Sequence, residues 1–222
     1  MAEQLQASVA PNPAPTHRRT ADVLVDVLAA SGVEVIFGLP GGTIAPIFDA
    51  LLDHPGIRVV TTKHEAGAMF AAAGYARTTG KLGVVLVTSG PGVTNAMTGL
   101  ASAWCDGIPL LLLAGEVPRK VYGKGALQEG SSYHLDIVGM TSHVSKLSLE
   151  AFEPNAAPGM LRRAIATALS GRRGPVVVTV PIDVSGASIA EPDVTVEVCT
   201  RFSIPLPALL RAKDALLAAI RE

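Results

Sequence analysis

One acid stands out by its surroundings. Glu65 follows His64 in the stretch HEAGAMFAAAGYAR, and between it and Tyr75 the chain holds only Ala, Gly, Met and Phe. A helix of that composition has no polar face, so it is buried on most sides and draws its leading carboxylate towards the interior. A carboxyl held there can keep and pass a proton. It can also serve the helix alone, because an acid in the first turn gains about 0.3–1 kcal/mol from the macrodipole. Two glycine turns accompany it: GLPGGT from Gly38 and TSGPGVTN from Thr88. Each follows an apolar, β-branched run and precedes a helical one; SGPG can cradle an anion with backbone N–H groups, although a glycine turn is more often only a turn. Neither fits G-x-G-x-x-G, and no G-x-x-x-x-G-K-[ST] occurs, so both common nucleotide motifs are missing from the chain.

The elements that must position these residues follow from periodicity. From Thr20, a plausible helix N-cap, helical and strand-like stretches alternate: TADVLVDVLAASG, VEVIFGLP, TIAPIFDALLDH, IRVVTT, the Glu65 helix, GVVLVTSG, the helix after Pro91, and IPLLLLAGE. Continuous apolar runs of this kind belong to parallel strands covered on both faces. The pattern predicts an α/β fold, an open and mostly parallel sheet with helices on both faces. The three turns, TKHEAG included, then line up at the carboxyl edge of the strands, where such sheets bind ligands. Val117 to His143 reads as a long, glycine-rich loop with at most short helices, a length that favours a functional role. Order returns with VSKLSL, NAAPGMLRRAIATALSG and PVVVTVPIDV. The expected organisation is a disordered N-terminal arm at 1–19, one domain at 20–184, and a linker with the first helix of a further domain at 185–222.

Composition removes several classes of function. Hydrophobic residues make up 49% of the 222, enough for a substantial core, and charged residues only 17%, which points to surface hidden in an oligomer or against another domain. The net charge is −1 with no long Lys/Arg run, so neither nucleic acid nor an anionic membrane is an expected partner. No apolar run reaches the roughly 18 residues of a membrane span. Cys105 and Cys199 have no metal-ligand spacing and read as reduced thiols in a cytoplasmic protein.

Taken in series, GLPGGTIAPIFDAL, HEAGAMFAAAGYAR, TSGPGVTNAMTGLASAW, LLLLAGEVP and ALQE resemble the pyrimidine-binding domain of thiamine-diphosphate enzymes, most closely the acetolactate synthase-like (acetohydroxyacid synthase large-subunit) family. The resemblance implies that the Glu65 carboxyl bonds N1′ of the cofactor's aminopyrimidine and favours its imino form, so that the 4′-nitrogen takes the proton from thiazolium C2. A carboxyl in that role should be shielded from water. The resemblance also implies that Leu39, Pro40 and Gly41 lie along the pyrimidine, that Thr88, Pro91 and Asn95 flank the cofactor and Glu65, and that Gly42, Gln128 and Lys146 stand on the substrate side, with Gln128 a catalytic residue beside Glu65. It implies a small 2-oxo acid substrate and a homodimer or homotetramer. The small-residue face with Ala66, Ala68, Ala72 and Gly74 is the expected contact. In this family Mg²⁺ and the diphosphate are held by a domain carrying Gly-Asp-Gly and Asn-Asn, and this sequence has neither. No metal ligand is therefore expected here, and the chain alone should lack activity.

The sequence departs from the family at Leu127, usually Phe, at Ser142 and His143, and in the lengthened Gly130–Leu135 segment with His134. All lie near the substrate pocket, so the cofactor chemistry is better supported than one particular reaction. Three other readings stay open: a small subunit of a two-chain thiamine-diphosphate decarboxylase, a non-catalytic assembly module, and a nucleotide-binding α/β module.

Overall fold

The structure is a computed structural model and describes residues 17–190. Its strands are β1 (His17–Arg19), β2 (Val35–Gly38), β3 (Arg58–Thr61), β4 (Gly83–Val87), β5 (Leu110–Glu116), β6 (Leu147–Glu150), β7 (Val176–Pro181) and β8 (Ser188–Ala190). Its helices are α1 (Thr20–Ala30), α2 (Ala45–Ala50), α3 (Glu65–Thr79), α4 (Pro91–Asp106), α5 (Ile137–Ser142), α6 (Ala157–Leu169) and α7 (Ile182–Ser185). Six strands form one sheet in the order β3-β2-β4-β5-β7-β6, every neighbouring pair parallel, and β1 pairs with β8 as a separate antiparallel ribbon. This is the α/β architecture that the alternation predicts.

Strand periodicity divides the interior into two cores. Val84, Leu86, Leu111 and Leu113 point to one face, under Leu24, Leu28, Ile47, Leu161 and Ile165 of α1, α2 and α6. Their neighbours Val85, Val87, Leu110 and Leu112 point to the other, under Met69, Val93, Leu100 and Ile137 of α3, α4 and α5. Side chains alternate across a strand, so apolar runs such as LLLL are what two covered faces demand.

The connections create the site. The chain leaves β2 into α2 on one face and leaves β4 into α4 on the other, although β2 and β4 are adjacent. That reversal opens a crevice at the carboxyl edge between the two strands. Gly38 lets them close up behind it, since a Cβ there would stand 2.4 Å from the Leu86 carbonyl oxygen.

Three expectations change. Thr20 is the first residue of α1 and not its cap, and its hydroxyl donates to the Ala187 carbonyl at 3.0 Å. Residues 17–19, expected in the arm, form β1, and residues 188–190, expected in the linker, form β8; the pairing satisfies both backbones and carries the folded unit past 20–184. Ala68 and Ala72, expected at a subunit contact, are fully buried inside the domain, because they face β4 and the second core. The rest of the expected arm, the helix expected over Pro207 to Glu222 and Cys199 lie outside the described residues.

Candidate functional site

The crevice is lined by the first residues after three strands. The chain leaves β3 and reaches His64, whose imidazole Nδ1 accepts the Ala66 N–H at 3.2 Å and caps α3. This local cap fixes where the helix starts and puts Glu65 at its head. Glu65 is 5% exposed. From the neighbouring helix α4 the Asn95 side-chain amide donates to Glu65 Oε2 at 3.0 Å. The other carboxylate oxygen has no hydrogen-bond partner among the described residues. Asn95 thus makes the side-chain contact to Glu65 and does not cap its helix.

After β2 the turn runs through Leu39, Pro40, Gly41 and Gly42. The Leu39 N–H donates to Leu86 at 3.1 Å and ties the turn to β4. Gly41 lies so close to Thr88 that a Cβ would come within 2.6 Å of the threonine Cβ, whereas a Cβ on Gly42 would meet nothing within 4 Å. Gly41 therefore packs the turn down while Gly42 faces open space. Thr88 does more than end a strand, because its hydroxyl pairs with that of Thr43 at 2.9 Å. The Ser89 N–H also donates to Thr43 at 3.1 Å. Thr43 and Ser89 are site residues that sequence reasoning missed; Thr43 follows directly on the Gly-Gly pair.

The loop after β5 closes over the third side. Glu116 ends β5, 2% exposed, and its Oε1 accepts the N–H groups of Val117 at 2.8 Å and Gly130 at 3.0 Å. Burial, which disfavours charge, pushes its carboxyl above the ordinary range despite those two bonds, with Glu150 and Glu129 adding to the effect. Glu129 is also buried, and its Oε1 accepts from Ser131 at 2.5 Å and the Gly123 N–H at 2.7 Å; these bonds hold its carboxyl below the usual range. Its Oε2 is buried with no partner among the described residues. Gln128, between these anchors, has φ +62 and an exposed side chain. The lone acid closing the apolar run LLLLAGE was a signal that Glu116 has a buried task.

The structure brings Leu39, Pro40, Gly41, Gly42, Glu65, Thr88, Pro91, Asn95 and Gln128 to the carboxyl edge. It does not bring Lys146. That residue precedes β6, in line with the start of β7, and so lies at the amino edge. Its ammonium donates to the carbonyls of Thr167 and Ser170 at the end of α6, and burial lowers its pKa. A lysine just before a strand in a parallel sheet is carried to the edge opposite the crevice, which corrects its expected substrate-side position within this domain. His134 is exposed on the loop. Among the described residues no cluster of His, Cys, Asp and Glu could hold a metal ion, and no helix is long and apolar enough to cross a membrane.

Residues 18–137 match the family described as thiamine pyrophosphate enzyme, N-terminal TPP binding domain. The chain is 42% identical over 169 residues to the acetolactate synthase large subunit of Lactococcus lactis, covering 76% of this chain and 28% of that protein. It is 46% identical to an acetolactate synthase of Arthrospira platensis over 75% of this chain and 28% of that one. The acetolactate synthase isozyme 3 large subunit of Escherichia coli is 45% identical over 74% of this chain and 28% of its own length. The match thus spans little more than a quarter of these curated relatives.

Proposed function

The chain belongs to the thiamine pyrophosphate enzymes through their N-terminal cofactor-binding domain, and from that premise we propose that its carboxyl edge is the pyrimidine half of an acetolactate synthase-like active site. The observation that carries the reading is Glu65, buried at the head of α3 and gripped through one oxygen by Asn95. The residues fit a heteroaromatic ring with a basic nitrogen. One Glu65 oxygen is committed and the other is available to such a nitrogen, while a Cβ on Gly42 in the neighbouring turn would meet nothing within 4 Å.

Leu39, Pro40 and Gly41 provide backbone along one side of that space, and Thr88 and Pro91 form its floor. When bound, thiamine diphosphate supplies a nucleophilic thiazolium carbon and an electron sink for decarboxylation of a 2-oxo acid and transfer of the remaining fragment. The chain's own task is proton handling. Glu65 holds a proton against the ring nitrogen, and Asn95 keeps the carboxyl turned towards it. Burial excludes water, which would otherwise compete for that proton. Gln128 and Gly42 face the substrate.

The remainder of the site is supplied by partners. Mg²⁺ and the diphosphate belong to a diphosphate-binding domain that these residues do not include. The exposed strip of α3 and α4, with Gly67, Phe70, Gly74 and Thr98, serves as the contact of a cytoplasmic homodimer or homotetramer; Phe70 is 49% exposed there. Calorimetry of the chain with thiamine diphosphate plus Mg²⁺, against ATP plus Mg²⁺, tests the reading. The pyrimidine contacts alone must offset an association cost of at least about 4 kcal/mol, so binding on the order of 1 mM is expected for thiamine diphosphate, lost in Glu65→Ala. Tighter binding of ATP would overturn the assignment.

A further inference from the structure

The segment bearing Gln128 is held from three sides. Glu129 closes it internally, its carboxylate accepting from Gly123 and Ser131. Gly90, at the head of α4, abuts it: a Cβ on Gly90 would stand 2.7 Å from the Gln128 carbonyl oxygen. The third hold is Glu116, which reaches from the end of the central strand β5 to the Gly130 N–H, two residues beyond Gln128. The fit is close, because a Cβ on Gly130 would lie 2.6 Å from Glu116 Oε2 and 2.7 Å from Ile137. The Val117 N–H meets the same Glu116 oxygen, so a single buried acceptor fixes both ends of the loop, where it leaves β5 and where it returns.

We propose that Glu116 is a positioning residue: it clamps the loop Val117–Gly130 to the sheet and so sets Gln128 against the glycine turn of α4. Gln128 sits in the left-handed backbone region, which a non-glycine residue keeps only where its surroundings enforce it. With the clamp released, the segment relaxes and Gln128 leaves the crevice. The clamp itself rests on geometry alone. Its catalytic consequence rests on the substrate-side role proposed for Gln128.

Amide hydrogen exchange of the full chain without cofactor separates the two. Glu116→Ala should raise exchange at Gly130 and Val117 at least tenfold while β4 and β7 keep wild-type protection. Glu116→Gln retains a carbonyl oxygen for both N–H groups and should restore protection to within about threefold. If Glu116→Ala fails to fold, Gly130→Ala, whose methyl displaces the carboxylate, should give the same local loss. Unchanged exchange at Gly130 in whichever of the two variants folds, or loss spread evenly over the sheet, would overturn the clamp. In the enzyme assembled with its diphosphate-binding half, the Glu116→Ala loss should fall mainly on KM for the 2-oxo acid and be recovered by Glu116→Gln. Local exchange loss with unchanged KM and kcat would leave the clamp standing and refute the role of Gln128.

Discussion

Replacing Asn95 with Ala separates folding from catalysis at one atom pair. Asn95 donates to Glu65 Oε2 at 3.0 Å from an exposed position on α4. Removing a hydrogen bond to a charged group costs about 1.5–3 kcal/mol. Ala also returns about 0.5 kcal/mol in helix propensity at this interior helical position. The net loss of stability is about 1–2.5 kcal/mol, or roughly 2–10 °C in Tm for a domain of this size. The catalytic loss is larger. If the carboxyl is held in its working rotation only by Asn95, the same 1.5–3 kcal/mol appears in the barrier as about 10–150-fold in rate. Asn95→Asp should be worse than Ala, because it replaces the donating amide with a second carboxylate facing Glu65. Proton exchange at thiazolium C2, followed by NMR in the assembled enzyme alongside denaturant unfolding of each variant, measures both quantities. Wild-type exchange in Asn95→Ala, or a rate loss that only follows unfolding, would refute the reasoning.

Two other perturbations read the packing and the buried acid. Ala72 is buried against the second core, so Ala72→Arg should cost more than about 4 kcal/mol and leave little folded protein by circular dichroism. Gly74 meets nothing within 4 Å, so Gly74→Arg should fold normally and convert a dimer to monomer in sedimentation at tens of micromolar. Glu116 has its folded-state pKa raised chiefly by burial, so the folded state resists its ionisation. That cost is absent below the unfolded pKa and grows as pH rises through the folded one. Glu116→Gln should therefore gain Tm relative to wild type as pH rises above the ordinary Glu value of about 4.3, and a difference that does not change with pH would contradict the burial argument.

The sheet and its order of elements were readable because the central strands β4, β5 and β7 are apolar on both faces and the long helices α3 and α4 end at glycines. Glu65 to Thr79 stands as read, since Gly80 at φ +72 stops the helix and His64 starts it. The gathering of Glu65, Thr88, Asn95 and the first glycine turn at one edge was readable because all follow strands in a parallel sheet. What the sequence withheld was long-range. The pairing of β1 with β8 joins residues far apart in the chain through three-residue segments too short for a periodicity to reveal them. The inward face of α3 could not be told from its outward face, because Ala and Gly populate both. Lys146 was assigned by its neighbours in sequence, yet its place before β6 sends it to the opposite edge. Thr43 and Glu116 gained their roles only when β2, β4 and β5 were set side by side.

The central claim is that the Glu65 carboxyl drives cofactor activation at this edge. Glu65→Gln keeps the shape and the buried volume while removing the proton that the carboxyl exchanges. In the assembled enzyme with thiamine diphosphate and Mg²⁺, C2 proton exchange should fall by about 10²–10³ while Tm and the circular dichroism spectrum stay near wild type. Exchange at the wild-type rate in Glu65→Gln would contradict the account.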